Sequence, residues 1–134
     1  MDSENLRGKN LTVLIDSNLW IEYLNGTPLG KKASEFIEGN ERVVISAINL
    51  AEVFRHVLSK KKRADAEKAK EILLQYSFSI AVTTNIAIEA ATLKVEKSMG
   101  LADAIIYATA KQENAQIITA DNDFRGQENV LILS

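Results

Sequence analysis

Hydrophobic and polar positions along the chain separate short apolar segments from longer stretches with helical periodicity. The apolar segments have the length and β-branched content of strands. The first and last lack polar alternation at their centres, which suits strands buried on both faces of a parallel sheet. The predicted strands cover residues 11–15, 42–46, 78–83, 116–119 and 130–133.

Helix-length segments fill the intervals between these strands. Two helices follow each of the first three strands, with a breaker run at 25–28 and a glycine stop predicted at Gly100. Such alternation predicts an α/β fold with a mostly parallel central sheet of four to five strands and helices on both faces. The predicted helices cover residues 17–24, 31–38, 49–59, 64–76, 85–99 and 101–114.

Composition narrows the class of protein. The 134 residues, 46% of them hydrophobic, form no repeat and contain one proline, which predicts one domain spanning 1–134 with a polar leader at 1–10. No stretch approaches the ~20 apolar residues of a membrane helix, and the leader is too polar for a signal peptide. We therefore expect a cytoplasmic protein that does not enter the membrane.

The residue inventory also excludes several kinds of chemistry. The absence of cysteine rules out disulfides, a thiolate nucleophile and cysteine-ligated metal centres. A single histidine, His56, rules out catalysis by two histidines and a zinc site built from several imidazoles. The remaining candidates are carboxylates, hydroxyls, amines and a hard metal ion.

Carboxylates follow two of the predicted strands. Asp16 follows the first strand, and Asp121 and Asp123 follow the fourth. Ligands of open α/β sheets bind outside the carboxyl ends of the strands, so these side chains would lie on one rim. The alternative is structural, because aspartate is common in turns and at helix N-caps.

Asp103 is the only charged residue of the segment 101–110 and shares a helical face with apolar side chains. A carboxylate in such surroundings needs compensation, since removing its charge from water is costly. One source is the dipole at the helix N-terminus. The other is a cation held jointly with further carboxylates.

Glu52 lies in the helix that follows the second strand, close to the same rim. Its spacing from Asn49 also matches a capping box, in which the glutamate would serve only as a reciprocal cap. Taken together, however, so many acids at one edge would repel each other strongly unless a cation neutralised them. An all-oxygen site favours Mg²⁺ or Mn²⁺. The acids predicted at this edge are Asp16, Glu52, Asp103, Asp121 and Asp123.

The net charge of −2 gives no overall case for a polyanionic partner. Setting the five clustered acids aside from the 18 acidic residues leaves 13 against 16 basic ones, or about +3 on the remaining surface. The basic run at 60–63, Lys-Lys-Lys-Arg, is its densest part. A solvated helix junction and an RNA contact are equally compatible with this run.

Four segments, in order and over nearly the whole chain, resemble PIN-domain nucleases, and most closely the small VapC-type toxins. These segments are VLIDSNLWIEYL, INLAEVF, GLADAIIYATA and ITADNDF. The resemblance implies a three-layer α/β fold and a Mg²⁺- or Mn²⁺-dependent endoribonuclease that releases a 5′-phosphate. It also implies a cognate antitoxin and homodimerisation.

Motif positions carry the family's site onto this chain. The resemblance implies that the catalytic, metal-binding acids are Asp16, Glu52, Asp103 and Asp121, with Asp123 assisting at the metal. Asn18 and Thr119 match positions where relatives carry a small polar residue that supports the first acid or the site. The same motifs occur in PIN proteins that process RNA, and a PIN-like fold retained only for protein binding is the non-enzymatic alternative.

Two other carboxylate-rich α/β classes fit less well. A phosphate-receiver domain needs an acid after the middle strand, where FSIAVTTN has none. A phosphatase of the haloacid-dehalogenase type needs a second aspartate where this chain has Asn18. The resemblance and the acid pattern therefore predict the same site.

Overall fold

A computed structural model describes residues 11–134, so the predicted leader at 1–10 lies outside the described residues. Five strands alternate with six α-helices and one 3₁₀ turn. In chain order they are β1 (Thr12–Ile15), α1 (Ser17–Asn25), α2 (Pro28–Ile37), β2 (Arg42–Ser46), α3 (Ala47–Lys60), α4 (Arg63–Tyr76), β3 (Phe78–Ile80), α5 (Thr84–Lys97), α6 (Leu101–Gln112), β4 (Ala115–Thr119), the 3₁₀ turn (Asn122–Phe124) and β5 (Val130–Ile132).

The strands form one sheet in the order β3-β2-β1-β4-β5, and every pairing is parallel. Strand β1 lies at the centre, where Leu14 pairs in register with Val44 of β2 and Ile117 of β4. The predicted parallel α/β sheet is therefore confirmed, with all five strands included. The carboxyl ends of β1, β2 and β4 consequently meet at one edge.

Alternate residues of β1 enter two different cores. Val13 and Ile15 pack with Trp20 and other side chains of α1 to α4, whereas Leu14 packs with side chains of α5 and α6. All three β1 side chains are fully buried. Burial on both faces explains the uninterrupted apolar run of this strand and confirms the three-layer arrangement.

Local signals place several helix ends differently from the sequence expectation. Helix α2 begins at Pro28, because proline suits the first helical position and Thr27 caps it through its hydroxyl. Strand β3 ends at Ile80, since Thr83 already caps α5. The predicted stop at Gly100 is wrong: Ser98 ends α5 in the left-handed conformation, and Gly100 is the N-cap of α6.

Among residues 11–134, no helix combines the length and apolar character that crossing a membrane requires.

Candidate active site

Four carboxylate residues from separate parts of the chain line one cleft of about 200 Å³ at the carboxyl edge of the sheet. Asp16 follows β1, Glu52 lies in α3, Asp103 lies in the first turn of α6, and Asp121 follows β4. The parallel sheet brings these elements to the same edge. The structure therefore groups the four acids that the sequence motifs single out.

Asp16 is the most buried acid of the cleft, with 6% of its surface exposed. It is the N-cap of α1, and its Oδ1 accepts a hydrogen bond from the backbone N–H of Ser17 at 2.8 Å. Oδ1 also lies 3.3 Å from the donating Nδ2 of Asn49, and Oδ2 accepts from Oγ1 of Thr119 at 2.9 Å. These donors hold the carboxylate in one orientation.

Burial is the main influence on the ionisation of Asp16 and raises the pKa of its carboxyl group. Hydrogen bonds from Thr119 and Ser17 act in the opposite direction, and the nearby carboxylates of Glu52 and Asp121 add to the increase. The net effect is a pKa above the ordinary value of an aspartate. A cation in the cleft would reverse this effect by favouring the charged form.

Glu52 is connected to the buried Asp16 through Ser17 and Asn49. The hydroxyl of Ser17 donates to Oε1 of Glu52 at 2.6 Å and accepts from Nδ2 of Asn49 at 2.9 Å. The capping-box interpretation of Glu52 is wrong, because Ser46 caps α3 and Asn49 is its reciprocal partner. Glu52 is thus one turn further along, with its carboxylate in the cleft.

Asp103 has the strongest electrostatic perturbation in the cleft. Partial burial raises its pKa first, and the carboxylates of Asp16, Asp123, Asp121 and Glu52 raise it further, to about 6. Gly100 supplies no side-chain cap to α6, although the first turn of a helix favours an anion. The other four acids thus disfavour ionisation of the Asp103 carboxyl group.

Asp121 and Asp123 follow β4 in a short 3₁₀ turn. Asp121 caps this turn by accepting the backbone N–H of Asp123 at 2.9 Å, and its own N–H donates to Oγ1 of Thr119 at 3.0 Å. Asp121 lines the cleft. Asp123 is exposed outside the cleft lining, yet it is close enough to raise the pKa of Asp103.

The two supporting residues predicted from the motifs occupy different positions. Thr119 is fully buried and bridges Asp16 to the backbone of Asp121. Asn18 lines the cleft, but its buried Oδ1 has no hydrogen-bond partner among residues 11–134. Sequence reasoning did not single out Ser17, and it named Asn49 only as a possible capping partner of Glu52; together these residues connect Asp16 to Glu52. The available signal was that Ser17 follows Asp16 directly and that Asn49 lies about one helical turn before Glu52.

Two basic side chains, Arg55 and His56, also line the cleft, both from α3. The groups in the cleft that could coordinate a metal ion are mainly carboxylate and amide oxygens, which suit Mg²⁺ or Mn²⁺. Within the described part of the chain, no three acidic or histidine side chains are spaced to hold one ion by themselves. This spacing still fits Mg²⁺, which commonly takes one or two carboxylates and completes its shell with water and phosphate oxygens.

The fold and the cleft define the class of this protein: it is an α/β domain with a carboxylate-lined candidate site at the carboxyl edge of a parallel sheet. The family model of the PIN domain matches residues 13–128, which include the four cleft acids. The chain therefore belongs to the PIN domain family. Comparison with curated proteins gives no match.

Solved structures of toxin–antitoxin systems have the same fold. A chain of a toxin–antitoxin complex from Klebsiella pneumoniae is 29% identical, with a TM-score of 0.76 over 89% of this chain and 95% of that one. A chain of VapBC2 from Rickettsia felis, bound to a promoter DNA fragment, is 21% identical, with a TM-score of 0.74 over 92% of this chain and 98% of that one. VapC20 from Mycobacterium tuberculosis, a Sarcin-Ricin loop cleaving toxin, is 19% identical, with a TM-score of 0.70 over 88% of this chain and 96% of that one. The fold is thus that of the VapC-type toxins.

Proposed function

We propose that this protein is a divalent-metal-dependent endoribonuclease and the toxin of a toxin–antitoxin pair. The observation that carries the proposal is the convergence of Asp16, Glu52, Asp103 and Asp121 on one cleft. Like charges so arranged destabilise the fold unless a cation binds there. Membership of the PIN family and the likeness to VapC-type toxins support the nuclease class.

The metal would be Mg²⁺ or Mn²⁺, with its protein ligands drawn from the four cleft acids, Asp123 in support, and water and phosphate oxygens completing its shell. Such an ion supplies charge for the phosphate oxygens and lowers the pKa of a water molecule. The protein's own part is orientation: Thr119 and Ser17 hold the carboxylate of Asp16, and Ser17 also holds that of Glu52. Asn18 would complete the site from the cleft wall.

RNA is the substrate we propose, with cleavage that leaves a 5′-phosphate. The support is the cleavage of the Sarcin-Ricin loop by VapC20, whose fold this chain shares. A route through water does not use the ribose 2′-hydroxyl, which agrees with a chain that has one histidine. His56 is then free to contact substrate at the edge of the cleft.

An antitoxin would bind and inhibit the enzyme in the cytoplasm. The support is that several solved structures with this fold are toxin–antitoxin complexes. A second copy of the chain is the other partner we propose. Exposed apolar side chains on α5 and at the start of α6 support such a contact: Ile88, Val95 and Leu101 are 65%, 82% and 54% exposed.

The test is cleavage of a mixed-sequence single-stranded RNA with Mg²⁺, with Mn²⁺ and with chelator. We expect metal-dependent cutting that falls about 100-fold or more in Asp16→Asn and in Glu52→Gln. Glu96→Gln, an exposed carboxylate of α5 that does not line the cleft, is the matched control and should cut like the parent chain. Equal cutting in chelator, or by the cleft variants, would contradict the proposal.

A protein-binding module without catalysis is the second candidate. It is favoured by the finding that no three acidic or histidine side chains within residues 11–134 are spaced to hold one ion. Such a module would gain no stability from Mg²⁺ that depends on the cleft carboxylates. A thermal melt with and without Mg²⁺, on the parent chain and Glu52→Gln, separates the two functions.

A further inference from the structure

A second concave surface lies beside the acidic cleft. It is a groove of about 240 Å³ between the end of α1 and the helices α3 and α4. His56 lines both the groove and the cleft, so the two surfaces adjoin at this side chain. A strand that leaves the cleft past His56 would reach the groove, which we call the lysine groove for the residues described below.

Helix α3 runs from one surface to the other. Glu52, His56 and Lys60 are four residues apart and therefore lie on the same helical face. Their spacing covers about 12 Å along the helix axis, roughly the rise of three stacked nucleotides along one strand. The face thus begins with a carboxylate in the cleft and ends with an ammonium group in the groove.

The lysine groove carries concentrated positive charge. Lys60, Lys61 and Lys68 line it and are exposed. The one carboxylate in the lining is that of Asp65, which accepts the backbone N–H of Lys62 at 3.1 Å and so caps the start of α4. Three ammonium groups therefore face the groove against one carboxylate already engaged with the backbone.

Arg63, the last residue of the basic run, has other contacts. The guanidinium of Arg63 pairs with Glu67 at 3.3 Å and lies 5.4 Å from the ring centre of Phe54. The run at 60–63 is thus divided: its first two lysines belong to the groove, and its arginine stabilises the helix junction.

A nuclease cleft lined by four carboxylates repels the phosphates on either side of the scissile bond, so a polyanionic substrate needs cations nearby. Arg55 stands in the cleft itself, and the lysines continue the positive charge away from it. Apolar side chains of Leu24, Val57 and Ile72 also line the groove. Exposed lysines beside an apolar lining suit a single strand, because the lysines neutralise its phosphates while its less polar surfaces lie against the apolar side chains.

We propose that the lysine groove binds single-stranded RNA next to the scissile phosphate, with Lys60, Lys61 and Lys68 contacting its backbone. The inference rests on the proposed nuclease function and adds to it the path of the substrate. The groove then determines on which side of the cut the strand must continue. Removing its charge weakens RNA binding and raises KM, while kcat stays close to that of the parent chain.

The experiment measures RNA binding separately from cutting. A short fluorescein-labelled single-stranded RNA is titrated with the protein in chelator, with anisotropy as the readout, at several salt concentrations. The groove variant carries Lys60→Gln, Lys61→Gln and Lys68→Gln. The control removes equal charge at Lys31, Lys97 and Lys111, which line neither the cleft nor the groove.

We expect the groove variant to bind about tenfold or more weakly, and its slope of log affinity against log salt to fall by about 2 for three lost phosphate contacts. The control should keep the affinity of the parent chain within about threefold. An equal loss of RNA affinity in both variants would mean that only the overall charge of the protein matters, and it would overturn the proposal. Unchanged RNA binding in the groove variant would also overturn it and leave the groove as a protein-docking surface.

The two proposals fail in different ways. If the parent chain binds RNA through the groove but cuts none with Mg²⁺ or Mn²⁺, the nuclease function is wrong and the groove assignment stands. If the parent chain cuts RNA and the groove variant does so with unchanged KM, the groove assignment is wrong and the nuclease function stands. A thermal melt of each variant confirms that the binding change does not come from unfolding.

Discussion

Two aspartates of the cleft, Asp16 and Asp103, differ in the groups that surround their carboxylates. Asp16 is nearly buried but accepts hydrogen bonds from Ser17 and Thr119, whereas Asp103 is only partly buried and is surrounded by other carboxylates. Hydrogen bonds partly offset the desolvation of the first. For Asp103, burial and the four nearby acids all raise the pKa, so ionisation of its carboxyl group destabilises the fold.

Asp103→Asn should stabilise the metal-free protein. Because the folded state raises the Asp103 pKa from 3.8 to about 6, it binds the proton more tightly than the unfolded chain. Stability from this group is therefore present at low pH and is lost as pH rises from about 4 to about 6. In chelator at about pH 7 the variant should melt a few degrees higher than the parent chain. This corresponds to a gain of about 1 kcal/mol in unfolding free energy, after allowing for solvent screening of the partly exposed carboxylate.

The control for Asp103→Asn is the same pair of melts at about pH 4, where the parent carboxyl is protonated and the two proteins should melt together. Glu96→Gln, at an exposed position of α5, should leave the melting temperature unchanged at both pH values. An Asp103→Asn variant that is less stable than the parent at neutral pH would contradict the prediction.

Thr119→Val should destabilise the fold through lost hydrogen bonds, because the two side chains have nearly the same shape. The Thr119 hydroxyl donates to the buried carboxylate of Asp16 and accepts from the backbone of Asp121. Removing it leaves both groups short of a partner, which costs about 1–3 kcal/mol of unfolding free energy. Urea denaturation measures the loss. Thr119→Ser keeps the hydroxyl and should retain both hydrogen bonds, so we expect it to be more stable than Thr119→Val. A valine variant as stable as the parent would show the bridge to be dispensable.

At the scale of elements, the position of α2 against α1 depends on one glycine. A Cβ on Gly30 would lie 2.2 Å from the carbonyl oxygen of Glu22 and 2.8 Å from the Cα of Tyr23. These are backbone atoms of α1, which a rotamer change cannot move. The close approach of the two helices therefore requires a residue without a side chain at position 30.

Gly30→Ala should destabilise the protein, although alanine is normally the better helix former. The collision must separate α1 from α2, which we expect to lower the unfolding free energy by about 2 kcal/mol or more. Urea denaturation followed by circular dichroism measures it. The matched control is Lys31→Ala at the next, exposed position of α2, with an expected change within about 0.5 kcal/mol. Equal stability of the two variants would show that α2 can shift freely.

Helix boundaries show where local signals mislead. Asn49 and Glu52 have capping-box spacing, yet Ser46 and Asn49 have it too, and the structure uses the second pair. Similarly, Gly100 suits a helix end, but Ser98 takes the left-handed position two residues earlier. Sequence alone offers several caps within a few residues, and packing of the helix against the sheet selects one of them.

At the scale of the whole molecule, Mg²⁺ should stabilise the fold. An ion that binds only the folded state at 100 times its Kd adds about 2.7 kcal/mol to the unfolding free energy. Protons compete for the same carboxylates, so the apparent affinity should fall about tenfold per pH unit below the Asp103 pKa of about 6. Thermal melts with Mg²⁺ at about pH 7 and about pH 5 measure the difference.

Sodium chloride at matched ionic strength is the control for general screening of the acidic cleft. Glu52→Gln should retain the screening response and lose most of the Mg²⁺ response. An equal stabilisation by both salts in both proteins would mean that the cleft holds no specific divalent ion.

The amino-acid sequence by itself determined the order and type of the elements, and it singled out Asp16, Glu52, Asp103 and Asp121. These features follow from local periodicity and from motifs, which are properties of neighbouring residues. The apolar centre of β1 indicated a strand covered on both faces, and its burial confirms this. The same expectation for β5 is wrong, because β5 is an edge strand and Leu131 is 37% exposed.

Only the tertiary structure decided which side chains hold the acids and which surfaces adjoin them. Ser17, Asn49 and Thr119 contact Asp16 from three different elements, and the lysine groove joins the cleft through His56. Such contacts join residues up to 103 positions apart. No local pattern encodes them, because the packing of helices on the sheet sets the distances between distant segments.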